Sequence, residues 1–316
     1  MDLWQLNVFC NVVETRSFSR AGQQVHLSQP TVSSHIKELE QHLDCRLIDR
    51  LSKEAAPTKA GEILYRYAKR LLALRAEAES AVAEFLGKMK GTLCIGGSTM
   101  PAGYLLPKMI GRFKRDYPDV KVTMRVGDTD SIIRETLDGL IEIGVVGAMP
   151  EDPRLEYRRL MEDELRLIVP GKHPWAVRKS VSIQELCAEP LILRESGSGS
   201  LKAIQRALKE SGVSTRDLNV IAEMGSTEAV YRGVKNGIGV SILSTLAVVE
   251  DLQRGELAAP RIENVEIRRG FYLIRDRHRT LSPLAGAFSK CLIEGMAMTA
   301  NTEPNPLESN QTPLGD

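Results

Sequence analysis

Small hydroxyl residues and glycines gather in three short runs of this chain: Gly96-Gly97-Ser98-Thr99-Met100, Glu195-Ser196-Gly197-Ser198-Gly199-Ser200 and Gly225-Ser226-Thr227. The first follows a strand-like stretch, and the other two precede helical ones. Unpaired N–H groups at a helix start, joined by hydroxyl donors, suit a small anion better than an apolar ligand. Ser and Thr are also the ordinary N-cap residues, so any single run by itself reads better as a cap. Three runs at strand ends together point to a ligand site. The candidates are Ser98, Thr99, Met100, Ser196, Ser198, Ser226 and Thr227, with Thr129 after the second strand and Gly147 after the third. Arg194 or Lys202 could supply the cation.

A second concentration of small polar residues lies near the N-terminus. Ser28 stands as the N-cap of a helix with Pro30 in its first turn, where a missing N–H costs nothing. Val32, Ile36, Leu39 and Leu43, spaced 4-3-4, bury one face. Pro30, Ser33, Ser34, Lys37 and Gln41 lie opposite. Short hydroxyls permit close approach to a surface, and a cation behind them can pair with a phosphate. A merely solvated helix face is the competing reading.

These residues must be positioned by larger elements. Leu3, Leu6, Phe9 and Val13 recur at helical spacing, and Phe18–Val25 forms a second short helix capped near Ser17 or Ser19. Residues 1–58 thus read as a small helical unit. From a cap at Thr58, residues 59–90 carry Leu64, Ala68, Leu71, Arg75, Ala78, Val82 and Phe85 in a heptad-like seam, predicting a long helix that buries this seam against its own globular domain or, the favoured reading for its length, against the same helix of a second copy. From Gly91 the pattern alternates. Strands are expected at Thr92–Ser98, Val120–Val126 and Ile141–Val146, with helices at Gly103–Tyr117 and Ser131–Leu137 between them. Leu155–Leu160 and Glu164–Val169 read as two further strands. Later strands (Leu191–Leu193, Asn219–Met224, Gly239–Leu243, Gly270–Ile274) alternate with helices at Ser200–Ser211, Thr227–Asn236, Thr245–Gln253 and Pro283–Gly295. A βαβαβ order implies parallel sheets with right-handed crossovers. Two lobes are expected, 91–161 with 267–297, and 162–266, hinged near Gly147–Ala148 and Val265–Arg268. Residues 298–316 read as a disordered tail.

Composition narrows the function. The chain has 316 residues, which corresponds to about two domains. Lys and Arg number 42 against 41 Asp and Glu, leaving a formal charge of +1, so any nucleic-acid contact must be local. No run of 18 apolar residues and no signal-like N-terminus is present, which fits a cytoplasmic protein without a membrane partner. The five cysteines and five histidines fall into no metal-ligand spacing. No Gly-x-Ser-x-Gly elbow, Walker loop or dinucleotide fingerprint appears, so neither an enzyme nor a cofactor is indicated. Cys187 has no nearby partner in sequence for a redox switch.

The N-terminal motifs Phe18-Ser19-Arg20-Ala21, Leu27-Ser28-Gln29-Pro30-Thr31-Val32-Ser33, Ile36-Lys37-Glu38-Leu39-Glu40, Arg46-Leu47-Ile48-Asp49-Arg50 and Thr58-Lys59-Ala60-Gly61 closely resemble the winged helix-turn-helix of LysR-type transcriptional regulators. The resemblance extends weakly over the rest of the chain. It implies an α/β protein with an N-terminal winged helix-turn-helix (1–58), a linker and dimerisation helix (59–90), and an effector-binding half (91–297). That half would consist of two Rossmann-like lobes resembling periplasmic binding proteins. It further implies a homo-oligomer, a dimer or tetramer, that binds double-stranded DNA and a small anionic effector. Gln29, Pro30, Thr31, Ser33, Ser34 and Lys37 would face DNA, with Arg50 and Lys53 reaching phosphates from the wing. Gly22 stands where the family usually has Ala, predicting a second helix looser by up to about 1 kcal/mol. Residues 1–58 carry six basic residues (Arg16, Arg20, Lys37, Arg46, Arg50, Lys53) against seven acidic (Asp2, Glu14, Glu38, Glu40, Asp44, Asp49, Glu54). One such unit alone should therefore bind DNA weakly and rely on partner copies.

Overall fold

A computed structural model describes residues 1–49, 55–85 and 89–300 of the chain. It comprises two compact units, one spanning Met1–Lys88 and the other most of the remainder. In the first, three helices form, α1 (Leu3–Thr15), α2 (Phe18–Val25) and α3 (Gln29–Leu43). Side chains cap each start: Asp2 in a reciprocal capping box with Gln5, Ser17 on the Arg20 amide, and Ser28 on the Thr31 amide. Left-handed residues Arg16, His26 and Asp44 end them. Leu6, Phe9 and Val12 of α1 pack with Ala21, Val25, Val32, Ile36 and Leu39 in one core. Two residues expected to be inside, Leu3 and Leu43, are exposed because they lie at helix ends beyond the three-helix contact.

Strands β1 (Ile48–Asp49) and β2 (Ala56–Pro57) pair antiparallel, Ile48 opposite Pro57. Glu40 of α3 accepts the Leu47 and Ile48 amides at 2.8 and 3.2 Å, tying the third helix to this ribbon. Helix α4 (Lys59–Phe85) starts where Thr58 donates to the Arg46 carbonyl (2.7 Å) and accepts the Gly61 amide (3.1 Å). The apolar seam of α4 is split. Leu64 and Ala68 turn into the helix-turn-helix core, while Ile63, Tyr67, Leu71, Leu74 and Val82 form an exposed stripe. Gly22 has a reason the sequence does not reveal: a Cβ there would lie 2.6 Å from the Leu27 carbonyl oxygen, so the α2–α3 turn closes directly on it.

The second unit begins with β3 (Gly91–Ser98), a π-turn (Pro101–Leu105), α5 (Leu106–Asp116), β4 (Val120–Gly127), α6 (Thr129–Asp138) and β5 (Ile143–Val146). β3 pairs parallel with β4 and β5, and the lobe core gathers Leu93, Ile95, Leu106, Phe113, Phe271 and Phe288. Then β6 (Leu155–Pro170) runs unbroken for 16 residues where two strands are expected. The other lobe contains β7 (Ser180–Val181), α7 (Ile183–Ala188), β8 (Leu191–Arg194), α8 (Gly199–Glu210), β9 (Val220–Met224) and α9 (Thr227–Lys235). It continues through β10 (Ser241–Ser244), α10 (Val249–Arg254), β11 (Leu257–Ala258) and β12 (Arg261–Ile262). Finally β13 (Ile267–Asp276) returns to the first lobe, which α11 (Pro283–Ala300) completes. This helix runs past Gly295 through residues 298–300, and the rest of the expected tail lies outside the described residues.

The crossing between lobes is sharply located. Leu160 and Met161 of β6 pack on the first lobe's core, whereas Leu165 and Leu167 belong to the second's. On β13, Ile267 belongs to the second and Phe271 and Leu273 to the first. The chain thus crosses at residues 162–164 and 268–270, on two paired antiparallel strands with Asp163 opposite Arg269. The first hinge segment, expected near Gly147–Ala148, is therefore displaced into β6. Gly147 instead lines the space between the lobes.

Candidate functional site

On α3, Gln29, Pro30, Thr31, Ser34 and Lys37 are exposed and Ser33 half-buried, while Val32, Ile36 and Leu39 are fully inside. The exposed face carries short side chains along its first two turns, so the backbone of α3 can come close to a groove floor. Two hydroxyls on it already have local partners. Thr31 shares a hydrogen bond with Ser28 at 2.8 Å, and Ser34 donates to Glu38 at 3.1 Å. Gln5 holds the other Glu38 oxygen, at 3.2 Å, which fixes that carboxylate on the rim. Arg50 and Lys53 lie outside the described residues.

Between the two lobes, Arg194 meets one hydroxyl from each of two of the hydroxyl runs. It ends β8 and is 3% exposed. One terminal nitrogen donates to Thr99 of one lobe (3.0 Å) and to Thr227 of the other (2.7 Å), while Nε and the second terminal nitrogen pair with Glu195 at 2.7 and 2.6 Å. Thr99 and Thr227 themselves approach to 3.5 Å. Residues 128 positions apart in sequence are thus brought onto one guanidinium.

The other candidates are placed variously. Ser98 is buried beside Gly147: a Cβ on that glycine would lie 3.7 Å from its hydroxyl. Ser198 and Ser226 accept the Leu201 and Ala229 amides as caps of α8 and α9. Ser196 is exposed, and Met100 packs in the first lobe's core. Thr129 and Gly147 line a cavity of about 890 Å³ between the lobes, whose other walls include Gly199, Lys202, Arg206, Arg268 and Arg269. Lys202 forms an ion pair with Asp130 across that space.

Sequence reading misses Arg269. It is 6% exposed, donates to Asp163 at 2.8 Å and to Ser200 at 2.8 Å, and Asp163 in turn accepts the Ser244 hydroxyl at 2.6 Å. Burial pulls its guanidinium below the usual arginine range; Asp163 opposes this and the charge of Arg194 adds to it. The sequence signal is faint: Arg269 stands beside a second arginine, Arg268, just before the apolar run Phe271–Ile274. Cys187 forms no disulfide, and burial together with Asp217 pushes its thiol up, away from the thiolate.

Residues 3–62 match the family described as bacterial regulatory helix-turn-helix protein, lysR family, and residues 87–297 match the LysR substrate binding domain. The chain belongs to the LysR family of transcriptional regulators. A probable RuBisCO transcriptional regulator of Trichormus variabilis is 34% identical to this LysR-family chain over 296 residues, 93% of this chain and 88% of that one. The transcriptional activator CmpR of Synechocystis is 29% identical over 287 residues, 90% of this chain and 93% of its own. Among solved structures, the LysR-family regulator CbnR superposes with a TM-score of 0.70 at 21% identity, covering 94% of this chain and 99% of its own, and so shares the fold. The regulatory domain of CcmR from Synechocystis PCC6803, solved in complex with 2-PG, is 28% identical with a TM-score of 0.60, covering 67% of this chain and 99% of that one. As a LysR-family regulator, the chain reads as a DNA-binding unit joined to an effector-binding half. No helix among the described residues is long and apolar enough to cross a membrane.

Proposed function

We propose that this regulator is a cytoplasmic homo-oligomer without catalytic activity, whose grip on promoter DNA is set by a small anionic effector between the lobes. Gln29, Pro30, Thr31, Ser33, Ser34 and Lys37 read the duplex, with Arg50 and Lys53 on phosphates. The exposed stripe of Ile63, Tyr67, Leu71, Leu74 and Val82 pairs copies. The proposed effector residues are Ser98, Thr99, Met100, Thr129, Gly147, Ser196, Ser198, Ser226 and Thr227, of which Thr99 and Thr227 bond to Arg194. The observation that carries the reading is the Arg194 guanidinium itself: a buried cation that donates to one hydroxyl from each lobe. The 2-PG complex of the similar CcmR domain supports an anion in this half.

An effector that favours one lobe arrangement shifts the population of assemblies, and with it the spacing of the DNA-binding units. Footprinting and bending of promoter DNA by the full chain, with and without 2-PG at saturation, test this. A changed footprint or bend is expected; an unchanged one removes the reading. On the DNA side, Lys37→Ala should reduce the slope of log affinity against log salt by about 0.9 for each recognition helix engaged, the loss of one phosphate contact. A slope unchanged in the variant would place Lys37 off the phosphates.

A further inference from the structure

Ser34 and Glu38 stand one turn apart on α3, and both are exposed. At 100° per residue they lie about 40° from each other, outside the arc of the buried Val32, Ile36 and Leu39. A serine inside a helix commonly returns its hydroxyl to the carbonyl one turn back. Ser34 instead donates to Glu38 Oε1 at 3.1 Å. That bond uses the single proton of the hydroxyl, so Ser34 presents lone pairs outward. The other carboxylate oxygen is held from α1. The Asp2 amide donates to Gln5 Oε1 at 3.1 Å, which leaves the Gln5 amide nitrogen to donate to Glu38 Oε2 at 3.2 Å.

Both donors are neutral, so they hold the charge of Glu38 in place without cancelling it. Glu14 of the same unit is treated differently, paired with Lys69 at 2.8 Å. A carboxylate fixed on a face that meets phosphates weakens binding to every duplex, unless a donor on the DNA meets it. One bond on each oxygen leaves about half of its acceptor sites open for such a donor. In the major groove the donors are exocyclic amines, N4 of cytosine and N6 of adenine. Adenine sets its N7 acceptor beside the amine, and guanine and thymine show acceptors there. Cytosine offers a donor and no acceptor of its own, which matches a pair that can only accept.

We propose that Glu38 and Ser34 form an acceptor-only pair that selects cytosine in the contacted strand, with Gln5 as the positioning residue that holds it. This rests on the reading of α3 as the helix that meets DNA, and adds Glu38, Gln5 and a preferred base to it. Because Gln5 belongs to the capping box of α1, the start of the first helix sets the aim of a side chain on the third.

Selection of random-sequence duplexes by the full chain, with sequencing of the bound fraction, tests the proposal. One position in each half-site is expected to favour cytosine over guanine and thymine by about tenfold, the worth of one good base contact. Glu38→Gln, whose amide adds a donor, should remove that preference and leave the other positions as they were. Its melting temperature should match the parent protein, since Glu38 is exposed. Gln5→Glu keeps a capping-box residue but sets a second carboxylate against the first, so it should weaken the same preference from outside α3. The proposal is overturned if Glu38→Gln keeps every base preference or alters all positions alike, or if the position that responds favours another base. Gln29→Ala then separates the two readings. A preference altered by it leaves α3 standing as the helix that meets DNA, whereas none altered by either variant overturns both.

Discussion

Replacing Asp163 by Ala is expected to destabilise the effector half by about 3–5 kcal/mol, because it leaves the buried Arg269 charge without its carboxylate partner. Arg269 would retain only Ser200, and Ser244 would lose its acceptor. Urea denaturation of the full chain, followed by a signal from the second unit, reads this directly. The companion substitution Ser244→Ala removes a single neutral donor and should cost about 1 kcal/mol. Added phosphate should recover part of the loss in Asp163→Ala by supplying the missing countercharge. A cost below that of Ser244→Ala would show that the carboxylate does not hold the arginine.

The second large effect lies in the DNA-binding unit. Gly61→Ala should destabilise it by about 3 kcal/mol, at the upper end of overpacking penalties. A Cβ at that position would stand 2.1 Å from the Leu47 carbonyl oxygen and 3.2 Å from Cβ of Pro57. That carbonyl cannot retreat cheaply, since it accepts the Thr58 amide at 2.9 Å and Thr58 caps α4. Promoter binding should be lost at a temperature where the effector half remains folded. Gly286→Ala is the control: nothing lies within 4 Å of its added methyl, so it should stabilise α11 by up to about 1 kcal/mol through helix propensity. Equal behaviour of the two variants in DNA binding would remove the steric account of Gly61.

What the sequence made legible was local. Ser17, Ser28 and Thr58 announce helix starts because capping is a contact between near neighbours, and α2 and α3 begin where those residues place them. The hydroxyl runs were visible for the same reason, though Ser198 and Ser226 turn out to cap helices. Long-range choices were not legible. The α4 seam carries two apolar stripes, and only the packed unit decides that Leu64 and Ala68 face inward while Ile63 and Tyr67 remain outside. Met161-Glu162-Asp163 falls between the two strands that the sequence suggests, Leu155–Leu160 and Glu164–Val169. It is instead the middle of β6, made habitable by Arg269, 106 residues away, whose position opposite Asp163 is a matter of register alone.

The joining of the lobes by β6 and β13 sets the kind of motion available to them. Two strands hydrogen-bonded to each other along their length resist being pulled apart but share a twist that can wind or unwind as a unit. Signal transmission through such a ribbon would be torsional, a small rotation of one lobe about the strand axis, in contrast with the wide jaw-like opening that independent loop hinges allow.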